Sequence, residues 1–207
     1  MLEPQDNLQR ATALAFEAVQ RQTAEQMAWL GASPSKDLWR LPILNTAANV
    51  DLAARRITTT GGQEVNPAWC VLLLHYLAIA GRPDTRAPEI VFADLPTARS
   101  YAGVYHQRAI GRLCGTAGRN VEKLRAAAMA LGGRTVRGGD AAFDFDVFPR
   151  LCLRVIWYAA DEEFAPSATL LLPANIESYF CIEDVVVLSE RMVAWLGGRG
   201  LGTGPAG

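Results

Sequence analysis

Apolar residues recur at three- and four-residue steps through the first thirty positions. Ala11, Leu14, Ala15, Ala18 and Val19 fall between Gln, Arg and Glu, a spacing that predicts an amphipathic helix over 6–30. Asp6 or Asn7 supplies a cap for its start and Gly31 a stop. From Leu38 to Thr60 the pattern shortens to β-prone pieces, 39–44 and 54–60, closed by Gly61-Gly62, and these predict a small hairpin or meander. Pro67 then opens a helix over 68–80 that is apolar on nearly every side, with Gly81 and Pro83 just beyond its end. Such a helix belongs at the centre of a fold.

Further along, Glu89–Phe92 reads as a short strand, and helices are expected over 98–113 and 121–131, the second stopped by Gly132-Gly133. The strongest β signal is 141–158, interrupted by Pro149, with a last strand over 168–172 and helical pieces over 174–180 and 183–196. No internal repeat or linker divides these elements. They predict a single α+β domain over 1–196: a small antiparallel or mixed sheet around 141–158, packed against several helices, chiefly 68–80. Residues 197–207 carry six glycines in eleven positions and no apolar period, so a flexible tail is expected there.

Composition narrows the function classes. Half of the 207 residues are apolar, 20% are charged, and 20 basic against 21 acidic side chains leave a net charge of −1. This excludes compositional disorder and removes the electrostatic footprint of a general nucleic-acid binder. The longest apolar runs, such as Trp69–Leu74, stop far short of the ~20 residues of a bilayer span, so no membrane crossing is expected. Met1-Leu-Glu-Pro-Gln-Asp lacks the basic start and apolar core of a secretory signal, which predicts a cytoplasmic protein. Cys70, Cys114, Cys152 and Cys181 stand singly, without a CxxC pair, so no zinc or iron–sulfur signature is present and no metal centre is expected.

Four places carry candidate chemistry. His75, beside Tyr76 in the apolar helix, reads either as a buried imidazole satisfied by a hydrogen bond or as a ligand or general base facing a pocket. Cys70 lies five residues earlier, about 140° around the helix axis, so the two cannot make a metal pair. His106, the only other histidine, is expected in solvent. Asp161-Glu162-Glu163 reads as a solvated turn whose carboxylates cap free N–H groups, or as a site for a hard cation or basic partner. Along 150–157, Leu151, Leu153, Val155 and Trp157 share one face while Arg150, Cys152, Arg154 and Ile156 share the other. Flanking guanidinium groups would make Cys152 the reactive-thiol candidate, unless Asp144 and Asp146 absorb them across the sheet. Finally, the run from Gly132 to Asp140 has the glycines of an anion nest but not the ending of a phosphate loop. Glu183-Asp184 opens the last helix, where the macrodipole alone accounts for negative charge.

Set in order, these pieces resemble the domain of unknown function numbered 3786, a family of anaerobic bacteria and archaea. The matching stretches are Leu72–Leu77, Val91–Pro96 with Tyr101 after it, Gly139-Asp140, Phe148–Arg150, Trp157–Phe164 and Glu183-Asp184. The resemblance implies an ordering of parts and an anaerobic setting. Some relatives carry a cysteine-rich iron–sulfur segment that this chain lacks. Two function classes follow. One is a non-catalytic accessory protein of anaerobic metabolism that binds a small molecule, a cofactor or a partner protein. The other is an enzyme, metal-assisted or not, using carboxylates from Asp140, Asp161, Glu162 or Glu163 with His75 as proton carrier. In either case His75, Tyr76, Asp140, Arg150 and the turn Asp161–Glu163 are expected to line one concave surface.

Overall fold

The first amphipathic segment breaks in two. In the computed structural model, which describes residues 4–202 with side chains from residue 8 onward, α1 spans Pro4–Gln20 and α2 spans Ala24–Trp29. Thr23 causes the break: its hydroxyl accepts from the Gln26 N–H at 3.1 Å and so starts a new helix. Asp6 and Asn7 lie inside α1, and their side chains fall outside the described residues. Gly31 ends α2 with φ +86°, and a Cβ there would sit 2.4 Å from Pro149, so glycine is needed for both conformation and approach.

Residues 33–59, which overlap the predicted 38–60 meander, form a four-stranded antiparallel sheet, β1 (Ser33–Ser35), β2 (Leu38–Ile43), β3 (Thr46–Asp51) and β4 (Arg56–Thr59), paired in that order. It makes a second sheet where one had been expected. Then comes α3 (Pro67–Leu77), with Pro67 in its first turn and the Asn66 side chain accepting from the Ala68 N–H. Every residue from Val71 to Leu74 is buried, as are Trp69, Tyr76 and Leu77, which leaves Cys70 and His75 as the partly exposed polar breaks in its apolar surface.

After β5 (Glu89–Val91) the expected helix over 98–113 is irregular: a 3₁₀ turn at Ala98–Ser100, α4 (Ala102–Tyr105), a π-helical stretch (His106–Gly111) and α5 (Arg112–Gly115). α6 (Val121–Ala130) leads to β6 (Arg134–Val136), then to β7 (Ala141–Phe148) and β8 (Leu151–Tyr158), which meet across a turn at Pro149-Arg150. With β9 (Ser167–Pro173) these form a five-stranded antiparallel sheet in the order β5-β9-β8-β7-β6, and α7 (Ile182–Leu196) closes the chain's helical set. The alternation along β8 is as the sequence predicts, with Leu151, Leu153, Val155 and Trp157 buried.

One hydrophobic core joins both sheets and the helices, so the chain is a single α+β domain. A bulge between Asp146 and Phe148 frees the Val147 carbonyl, which accepts from the Leu44 N–H at the β2–β3 turn and links the two sheets. Beyond α7, Leu201 is buried, its carbonyl accepts from the Asn66 N–H at 2.9 Å, and Gly202 pairs with Val65. Residues 197–202 are therefore docked on the start of α3, while 203–207, the rest of the expected flexible tail, lie outside the described residues. No helix among the described residues is long and apolar enough to cross a membrane.

Candidate functional site

His75 meets Asp184 across the α3–α7 seam. The imidazole Nδ1 lies 2.6 Å from Asp184 Oδ2, with the histidine side chain 36% exposed and the aspartate 14%. A carboxylate at that distance accepts the Nδ1 proton, so in the neutral ring Nε2 carries the lone pair; it has no hydrogen-bond partner among the described residues. Asp184 sits in the first turn of α7, the position explained by the macrodipole alone, yet it reaches across to a residue 109 positions away. Covered carboxylate and accessible imidazole together make an oriented acid–base group.

The pair opens onto a cleft of about 450 Å³ lined by His75, Ile79, Glu177, Tyr179, Cys181 and Asp184, among others, a volume within the roughly 300–1,000 Å³ of small-molecule sites. Two carboxylates, and neither lysine nor arginine, line it. Its rim is tied down twice: Thr97 donates to Glu177, and Tyr101 donates to Glu183 and holds that carboxyl below its ordinary range. Cys181 holds the position just before α7 at the same rim, and burial and the neighbouring Asp184 and Glu183 carboxylates push its thiol up to about 11, so it enters the cleft as a neutral thiol. A groove of about 370 Å³ beside α1 and another of about 210 Å³ between α4 and β9 bring no such pair of titratable groups together.

The other expected site residues lie elsewhere. Tyr76 has no exposed surface; its hydroxyl donates to the Leu30 carbonyl at 2.9 Å and accepts from the Arg150 N–H at 3.2 Å. Arg150 turns away to the Trp29 carbonyl and stacks over that indole, 5.0 Å from its centroid. Asp140 is bound at the opposite end of β8, where its carboxylate accepts from the Ala159 N–H. Asp161 follows the same strand end and accepts from the N–H groups of Glu163 and Phe164, which hold its carboxyl below the usual range, while Glu162 and Glu163 point into solvent. Eight residues of extended strand, roughly 25 Å, separate these groups from Arg150, so the seven do not line one surface. The capping account of the acidic turn is the one the geometry follows.

Cys152 is also corrected. The register pairs it with Asp146; Arg154 is taken by Asp144 (Nε to Oδ1, 2.6 Å) and Glu89, and Arg134 by Asp146. With Arg150 facing Trp29, burial and the two aspartates dominate and push the Cys152 thiol up to about 12, the reverse of an activated thiolate. His106 is exposed, as expected. Among the described residues, no three of His, Cys, Asp and Glu converge to hold a metal ion.

The fold and site thus define an α+β protein with an oriented His–Asp pair at a helix–helix cleft. The chain belongs to the domain of unknown function family DUF3786, whose model matches residues 23–195. No curated protein and no solved structure matches it.

Proposed function

We propose that the protein is a small-molecule-binding protein whose ligand occupies the α3–α7 cleft, with His75 Nε2 as the central contact and Asp184 as the group that orients it. The carrying observation is the 2.6 Å His75–Asp184 bond at the edge of a cleft of about 450 Å³. Glu177 and Asp184, without a cation among the lining residues, favour a neutral or cationic ligand over an anionic one. The setting proposed is anaerobic metabolism, on the strength of the family resemblance.

The same bond supports a second reading, an enzyme in which His75 takes a proton at Nε2 while Asp184 steadies the imidazolium. In that reading Asp184 replaces Asp140, Asp161, Glu162 and Glu163 as the relevant carboxylate. A fragment screen of neutral and cationic compounds, followed by NMR on the whole chain, tests the site. Binders should perturb His75, Tyr179 and Cys181, and lose affinity in His75→Ala. Binders that leave those resonances unmoved, or that bind His75→Ala equally well, would overturn the proposal.

A further inference from the structure

A covered carboxylate needs one cation, but Glu190 on α7 has three. Arg108 from the π-helical stretch, Arg112 from the start of α5 and Arg191 beside it all reach its carboxylate, Arg112 at 3.4 Å and Arg191 at 2.7 Å. The Glu190 side chain is 11% exposed, against 46%, 28% and 22% for the three arginines, so the negative charge is covered while the arginine side chains keep exposed surface. Among the described residues no second carboxylate lies within ion-pair distance of any of the three, which leaves 3 − 1 = 2 positive charges uncompensated. The π-helical stretch is consistent with this: the conformation is rare and is frequently found at functional sites.

We propose that this seam binds a phosphate monoester group of a small molecule. A surplus of two positive charges matches a phosphate, which carries about −1.5 to −2 near neutral pH, better than a monocarboxylate. Planar guanidinium forks suit its tetrahedral oxygens. Glu190 lies six residues beyond Asp184 on α7, about 9 Å along the axis and on a different face, so this site is separate from the His75 cleft.

Isothermal titration of the full chain with inorganic phosphate and glycerol phosphate, against acetate at equal ionic strength, tests it. Saturable 1:1 binding of both phosphates is expected, with acetate clearly weaker. Arg112→Gln and Arg108→Gln, the latter at the most exposed of the three arginines, should each weaken phosphate binding about tenfold. Glu190→Gln, by removing the competing charge, should strengthen it. Absence of saturable phosphate binding in both the natural chain and Glu190→Gln, or arginine variants that melt normally and bind as the natural chain does, would overturn the proposal.

Discussion

Tyr76 shows how much one side chain can organise. Its ring stacks on Phe148 with centroids 4.4 Å apart, and its hydroxyl joins the end of α2 to the Pro149-Arg150 turn. Tyr76→Phe keeps the stack but leaves the Leu30 carbonyl and the Arg150 N–H without this partner, and should cost about 1–3 kcal/mol in denaturant unfolding. A cost near zero would mean that water replaces the hydroxyl. The cysteines give a second residue-scale prediction. With the Cys181 thiol raised to about 11, its thiolate fraction stays small through neutral pH and rises tenfold per unit until the pH passes that value. In a chain keeping Cys181 as its only cysteine, the iodoacetamide rate should still be climbing at pH 10. A plateau by pH 9 would show that burial and the carboxylates do not hold the thiol protonated. His75, Cys152 and the acidic turn were all legible as candidates. Which of them faces an open cleft with an oriented partner was not, because Asp184 and Asp146 decide it and they come from other elements.

At the scale of elements, α3 is the axis on which both the core and the site depend. It packs against α1 and α7, buries Leu73 completely and presents His75 where it meets α7. Leu73→Ala should therefore cost about 2–5 kcal/mol, measured by chemical denaturation; a change below about 0.5 kcal/mol would place α3 at the periphery. Its start and character could be read directly, since Asn66-Pro67 and an unbroken apolar run carry local signals. So could β8, through its alternation. β3 could not: Ala47, Ala48 and Asn49 have little strand preference, and the strand exists because β2 and β4 pair on both sides of it. The π-helical stretch was equally silent, being set by its packing against α7 and β9 rather than by residue spacing.

Across the whole molecule, the two sheets share a core and meet where the Val147 carbonyl accepts from Leu44, while α3 and α7 converge to form the cleft. The chain keeps its structural polar contacts and its candidate chemistry apart: Tyr76, Arg150, Asp140 and Asp161 secure turns, and His75 with Asp184 is left facing open volume. That division rests on the state of one imidazole, and the chain has only two histidines. Nitrogen-15 NMR of the ring nitrogens at a pH where both histidines are neutral tests it most directly, with exposed His106 as the internal reference. His75 should be held in the Nδ1–H form and should lose that preference in Asp184→Asn, while His106 shows the tautomer mixture of a free imidazole in both proteins. A His75 that matches His106, or that is unchanged by Asp184→Asn, would contradict the oriented pair.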